Sequence, residues 1–385
     1  RIRLLKNKIA AELRSNYMSN KIRVIAMYLP QYHPFKENDQ WWGKGFTEWT
    51  NVGKAKPLFR GHYQPRVPAD LGYYDLRLPI IREEQAELAR EAGIEGFMYW
   101  HYWFGNGKRL IPEVFDEVLE SGSPSLPFCL GWANHSWFSK NWNADGSISK
   151  KLLMEQTYPG IEDEKMHFAF LLKAFKDKRY IKVDDKPLLY IFDPVSLPQE
   201  YVQNFKKWTL EAGFPGLYLV GNMPNLKYDK SKFLNNGYDA VSYQRIGSSL
   251  HGGNKVNDKI IRRLQIYKKH LIGFLRHRPP FMEDYRKVFH NMITEEDKLE
   301  NVIPAIVPQW DHTPRSGWNG SLLINSNPDS FYEHCCDGIN AVKNKKNPIL
   351  FLKSWNEWGE GNYMEPDLKF GKGYINALRK ALNRQ

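Results

Sequence analysis

Cysteine is scarce: 385 residues contain three, Cys129, Cys335 and Cys336. That excludes a disulfide framework, since neighbours 335 and 336 are poor partners for each other, and no Cys-x-x-Cys spacing marks a metal site. Long apolar runs are missing too. A membrane-spanning helix needs about 20 consecutive apolar residues, and the chain has no such stretch. Its first twenty residues mix charges and lack the apolar region of a secretion signal, so the expected location is cytoplasmic or membrane-peripheral. No G-x-G-x-x-G or G-x-x-x-x-G-K-S/T turn follows an apolar run, which removes support for a nucleotide-binding parallel sheet. Histidines are scattered, with no H-x-x-x-H pair or carboxylate triad at ligand spacing, so neither a metal nor another cofactor is expected. Acidic residues are outnumbered, 43 Asp and Glu against 55 Lys and Arg, for a net charge of +12. No nucleic-acid-binding motif accompanies that surplus, and no nucleic-acid partner is expected.

Aromatic residues are what the chain has in plenty: 13 Trp, 21 Tyr and 21 Phe, in a composition 42% hydrophobic that rules out disorder. Eight short apolar, β-branched or aromatic runs recur along it: Val24–Leu29, Gly96–Tyr102, Pro127–Trp132, Pro187–Phe192, Gly216–Val220, Asp239–Tyr243, Ile303–Val307 and Ile349–Lys353. Between them lie segments of helical periodicity, among them Pro79–Ala92, Glu162–Lys178, Pro198–Ala212 and Pro328–Lys343. Near-continuous apolar strands alternating with amphipathic helices predict an α/β protein with a parallel sheet covered by helices. Eight such units favour a closed (β/α)8 TIM barrel over an open sheet. No linker, repeat or low-complexity tract divides the chain, so one domain over residues 1–385 is expected.

The residues at the strand ends are rich in aromatic and polar side chains. They include Tyr32 and His33, then His101, Tyr102 and Trp103, then Trp132, Asn134 and His135. Asp193, Gln244 and Arg245 follow, and then Gln309, Trp310 and Asp311. In a β/α barrel these ends converge on one mouth, where active sites sit. Such a lining suits sugars, whose C–H faces stack on aromatic rings while their hydroxyls take directional hydrogen bonds. All of these residues are candidates for substrate binding, as are Trp41, Trp42, Glu48 and Trp49 in the first loop. Packing at the rim is the competing role for each.

The sharpest local signal closes the eighth run: Ser354-Trp355-Asn356-Glu357-Trp358-Gly359-Glu360-Gly361. Two carboxyls three residues apart suit glycoside chemistry, which uses one as acid and another as base or nucleophile. Burial beside tryptophan raises one pKa, and the second carboxylate separates the two titrations further. Glu357 and Glu360 are therefore the candidate catalytic residues, with Trp355, Asn356 and Trp358 beside them. Retaining β-glycosidases of one large clan carry Asn-Glu on the fourth strand, so a pair on the eighth points elsewhere.

Together with Ile25-Ala26-Met27-Tyr28-Leu29-Pro30-Gln31-Tyr32-His33-Pro34 and Trp41-Trp42-Gly43-Lys44-Gly45-Phe46-Thr47-Glu48-Trp49-Thr50-Asn51-Val52, this motif resembles the WbsX-type family. That family is also called glycoside-hydrolase-family-99-like, and its members are often labelled glycosyltransferase or lipopolysaccharide biosynthesis protein. The similarity runs on through Phe59–Pro65, Ala69–Gly72, Tyr99–Phe104 and Glu365-Pro366, covering nearly the whole chain. It implies a (β/α)8 barrel and metal-independent, endo-acting cleavage of α-linked mannose-like polysaccharide with retention. On this resemblance Glu357 takes the proton from the sugar's 2-hydroxyl, which attacks the anomeric carbon to give a 1,2-anhydro intermediate. Glu360 then protonates the leaving oxygen and later deprotonates water. One departure stands out. The family commonly has Ala-Asn-Glu-Asn-Trp after the third strand, and this chain has Ala133-Asn134-His135-Ser136-Trp137. The alternative function is glycosyl transfer in O-antigen or capsule assembly, although no sugar-nucleotide pocket or DxD motif is visible.

The positive charge is concentrated. Ten basic residues against Asp258, Glu283 and Asp284 put +7 of the +12 between Lys255 and Lys287. Ile260, Leu264, Tyr267 and Leu271 fall at helical spacing, predicting a basic amphipathic helix over Asp258–Ile272. A solvated face is one reading; peripheral contact with an anionic membrane is the other.

Overall fold

The computed structural model describes residues 21–142, 148–223, 228–243, 245–247 and 259–384. Eight parallel strands close into a barrel: β1 (Arg23–Tyr28), β2 (Gly96–Trp103), β3 (Phe128–Trp132), β4 (Lys186–Ile191), β5 (Tyr218–Met223), β6 (Ala240–Tyr243), β7 (Val302–Ile306) and β8 (Ile349–Leu352). Each pairs in parallel with the next, and β1 closes the ring by pairing with both β2 and β8. Every strand is almost wholly buried. That is why the strands read as continuous apolar runs: one face fills the barrel and the other meets helices.

The covering helices are α1 (Pro79–Ala92), α2 (Glu113–Ser121), α3 (Ile161–Phe175), α4 (Gln199–Glu211), α5 (Lys230–Asn235), α6 (Lys259–Leu275), α7 (Pro328–Val342) and α8 (Gly373–Leu382). Their ends follow from local chemistry. Helix α1 starts with proline at its first turn and stops at Gly93, whose φ of 82° is left-handed. The side chain of Asn327 caps α7 by accepting from Ser330 N–H.

Alternation along β2 decides which side chains reach the barrel interior. Trp100 turns inward, with ring centroids 5.9 Å from Tyr190 and 5.7 Å from Phe192. Tyr99 and His101 turn outward, against Phe115 of α2 at 5.4 Å and Phe170 of α3 at 4.9 Å. The basic stretch is only partly helical. After α6 it runs into a short strand, Met282–Asp284, paired in parallel with Leu322–Ile324.

Candidate active site

Beyond β8 the chain folds back on itself. Asn356–Glu357 pairs antiparallel with Asn362–Tyr363, and a 3-10 turn over Trp358–Glu360 joins them. Gly361 ends that turn at a φ of 54°, and a Cβ there would come within 2.7 Å of the Asp311 Cβ. Asn356 stitches the motif to β1, accepting from Leu29 N–H (2.8 Å) and donating to Leu29 O (3.0 Å). Trp358 N–H donates to the Tyr32 hydroxyl at 2.9 Å. The Trp358 ring stacks on Tyr363, and its Nε1 donates to Glu365 at 2.6 Å. These bonds fix the hairpin, and so they fix both glutamates.

Arg315 joins the two carboxyls. Its Nη1 donates to Glu360 at 2.7 Å and its Nη2 to Glu357 at 2.8 Å. Its Nε donates to Glu48 at 3.1 Å. Glu48 opens a helix, Glu48–Lys54, whose start is fixed by Thr47 accepting from Trp49 N–H. Gly359 leaves room for this arrangement, because a Cβ there would collide with the Glu48 carboxylate and lie 3.0 Å from Arg315 Nε. One guanidinium thus serves three carboxylates, and all four side chains keep 10–25% exposure. Lys353 also faces the pair, and His312 Nε2 lies 3.7 Å from Glu360 Oε1.

The two glutamates titrate apart. Burial pushes Glu357 up to about 8; Arg315 opposes this, while Glu360 and Glu48 reinforce it. Burial also works against the charge on Glu360, but Arg315, Lys353 and His312 outweigh it and hold that carboxyl below its usual value. The surroundings thus pull the two carboxyls in opposite directions, Glu357 toward its protonated form and Glu360 toward its charged form.

A family model described as "Glycosyltransferase WbsX" matches residues 24–378. The chain belongs to the WbsX family. It is 31% identical over 369 residues to the "Uncharacterized protein WxcX" of Xanthomonas campestris pv. campestris strain B100, covering 94% of this chain and 50% of that one. The WxcX of strain ATCC 33913 matches at 31% over 366 residues with the same coverage. The chain thus spans about half the length of the curated relatives it matches. Among solved structures, it is similar to the GH99 endo-alpha-mannosidase from Bacteroides thetaiotaomicron in complex with bis-tris-propane. The TM-score is 0.54 at 13% identity, over 94% of this chain and 96% of that one. A structure described as "Glycoside hydrolase-like protein" gives a TM-score of 0.54 at 16% identity, over 94% of each chain. At such identities the likeness is one of fold, and these neighbours are barrels of glycoside hydrolases.

In this WbsX member the residues singled out from the sequence divide into three groups. Glu48, Glu357 and Glu360 meet at Arg315, with Tyr32, Trp49, Asn356 and Trp358 packed directly behind them. Tyr102, whose hydroxyl accepts from Gln31 at 2.7 Å, faces the charges of Glu357 and Arg315. Trp41 packs with Tyr102, through Trp137, in a small apolar cluster, and Trp42 is exposed beside Phe46.

A second group is buried in packing or internal bonds. His101, Trp103 and Trp132 surround His167 of α3, outside the barrel, so they do not line its mouth. The reason is strand alternation: His101 and Trp103 share the outward face of β2. Trp355 is fully buried against Phe97. Asn134 bonds to both the N–H and the C=O of Asp193, whose carboxylate in turn caps Val195 and Ser196. Arg245 pairs with Asp297 at 2.6 Å. Gln309 accepts from Arg66, and Asp311 accepts from His62 and Gln64, both at 2.8 Å.

The third group sits in loops. His33 contacts Pro34 O and Phe35. His135 packs on Phe192 at 4.7 Å, and burial holds its imidazole below the usual value. Trp310 donates to Ser321 at 3.1 Å and carries Lys353 over its ring. Gln244 lies outside the described residues.

Sequence reasoning missed Arg315. No local pattern marks it: it stands four residues past Asp311 in a short helical turn, Thr313–Ser316, and the three carboxylates it serves come from two separate loops. Among the described residues, no cluster of three or more His, Cys, Asp or Glu is placed to hold a metal ion.

Proposed function

We propose that this carbohydrate-active barrel is a retaining, endo-acting glycoside hydrolase, working without a metal on an α-linked, mannose-like bacterial or fungal polysaccharide. The observation that carries the reading is the Glu357–Glu360 pair on the two arms of one guanidinium. A pair of carboxyls pulled toward opposite protonation states is what acid–base glycoside cleavage uses. The mannose-like class rests on the described activity of the structural neighbours and on the 2-hydroxyl chemistry implied by the family resemblance.

Glu357 and Glu360 divide the base and acid roles. With Glu357 pulled toward its protonated form and Glu360 toward its charged form, Glu360 acts as acid only after substrate parts it from Arg315 and the proton crosses over. The reverse order, Glu357 as acid, needs no such transfer. A substrate whose leaving group needs no protonation separates the two, because it rescues the variant lacking the acid and not the variant lacking the base.

The decisive experiment is a product screen on α-mannans, rhamnans and bacterial O-antigens, with NMR of the nascent anomer. Hydrolysis with retention supports the proposal; an inverted product overturns it. The family's description as a glycosyltransferase favours a second reading, glycosyl transfer in O-antigen or capsule assembly. Product formed only when an acceptor sugar is present would establish that reading instead.

A further inference from the structure

Helix α6 exposes apolar surface that the fold does not use. Leu264, Tyr267, Leu271 and Phe274 are 62%, 71%, 48% and 70% exposed, and Leu275 beside them is 68% exposed. Their spacing of three and four residues sets them on one face. No other helix among the described residues carries more than two such exposed large hydrophobics. The opposite face is partly seated, with Ile266 on it keeping 39% exposure. Gly273 lies against the backbone of Arg278 and Pro280, His270 meets Phe281 edge-on at 5.4 Å, and Lys269 pairs with Glu283 at 3.3 Å. The helix is therefore held with its apolar stripe turned to solvent.

Charge selects what covers that stripe. From Lys259 to Arg278 the sequence carries seven Lys and Arg and no acid. Lys268 falls at the border of the stripe, and Arg276, just past the end of the helix, is exposed. A second copy of this segment would bring seven cations against seven, which repel. An apolar, aromatic-bearing face within a field of cations matches a surface that offers hydrocarbon and phosphate together.

The position of the helix is consistent with this. Just past its end, the Arg278 guanidinium lies over the Phe59 ring at 5.5 Å, and Phe59 stacks on His62 at 4.7 Å. His62 bonds to Asp311, at the end of β7. The helix is thereby tied to the loops that frame the carboxylate cleft.

We propose that α6 is an interfacial anchor for a bilayer containing anionic phospholipid. Leu264, Tyr267, Leu271 and Phe274 enter the boundary between headgroups and acyl chains, and the surrounding Lys and Arg meet lipid phosphates. The inference stands apart from the catalytic reading and is tested without a glycan.

The test is co-sedimentation of the full chain with vesicles of phosphatidylcholine alone and with 30% phosphatidylglycerol, about one lipid in three, chosen to bring several anions under each helix. Binding is expected on the anionic vesicles, falling roughly tenfold or more between 0.1 and 0.5 M salt as the charges are screened. The double variant L264S/F274S should lose about tenfold or more of that binding. So should K268E/R276E, both without a change in melting temperature, since all four side chains are exposed. Absence of binding overturns the proposal, as does equal binding to both vesicle types or wild-type binding by L264S/F274S. Sedimentation velocity closes the remaining route: a dimer that L264S/F274S dissociates would assign the stripe to a second copy and overturn the lipid assignment.

Discussion

Two charged clusters lie side by side beyond the ends of β7 and β8, and each sets carboxylate against arginine. In the first, one carboxylate has an excess of donors. Asp311 accepts from His62 and Gln64 at 2.8 Å and from the Thr313 hydroxyl at 2.6 Å, with Arg66 at 3.8 Å. Leu58 N–H donates to His62 Nδ1, which leaves Nε2 as the nitrogen that donates to Asp311. In the second cluster the ratio is inverted, with Glu48, Glu357 and Glu360 sharing Arg315. Burial disfavours the Asp311 charge, yet His62, Arg66 and Thr313 overcome it and bring its pKa down to about 2. Glu357, short of donors, is pushed up to about 8. The number of donors per carboxylate, more than burial itself, separates a cluster that is closed from one that keeps a proton to exchange.

The largest effects should come from removing the charge that defines each cluster. E357Q and E360Q are each expected to lower turnover by about 10²–10⁴-fold while the protein stays folded and keeps binding glycan. Near-normal turnover in either variant would remove that residue from the chemistry. D311N should instead cost about 3–5 kcal/mol of stability, because it leaves Arg66 buried without its counter-charge. Urea unfolding measures this, and a loss under 1 kcal/mol, about the scale of an exposed ion pair, would refute the contrast between the clusters.

The clusters should also answer to opposite ends of the pH scale. Asp311 has a folded pKa below its unfolded one, so its contribution is present above the unfolded value and lost as pH falls through about 2. Glu357 is raised, so its contribution is complete below the unfolded carboxylate value and is lost as pH rises through about 8. Turnover should likewise fall above about 8, when Glu357 loses its proton. R315Q should lower turnover roughly tenfold and carry Glu360 upward, moving the acid limb of the pH–rate profile to higher pH by about a unit or more. An unmoved acid limb would show that Arg315 only packs.

How much of this the sequence carried depends on which physical signal was at work. All eight barrel strands were legible, seven with each end within about one residue and the fifth running three residues past Val220 to Met223, because strands buried on both faces must be apolar without a break. Helix α6 was legible too, though it continues to Leu275, three residues past the periodic pattern. The facing of strand-end residues was harder to read. His101 and Tyr102 are neighbours in sequence, yet one packs on α3 while the other faces the carboxylates. Composition cannot resolve an alternation whose phase is set by pairing register. Arg315 was hidden for a different reason. It sits in a four-residue helical turn, Thr313–Ser316, with no periodicity, and its role appears only when β1, β7 and β8 bring their loops together.

The smallest expected effect concerns His312, and it tests whether the open cluster works through contact or through field. His312 Nε2 stands 3.7 Å from Glu360, too far for a normal hydrogen bond, while its Nδ1 is bonded to Ser316 at 2.8 Å. Among the groups that lower Glu360 it follows Arg315 and Lys353. H312Q keeps a polar group of similar reach and removes only the titratable charge. We expect turnover to change by less than about fivefold and the acid limb to rise by a fraction of a pH unit, less than in R315Q. A shift as large as that of R315Q would mean that Glu360 responds to the summed field of the rim. The direct guanidinium bond would then lose its special place, and with it the account of how Arg315 holds Glu360 in its charged form.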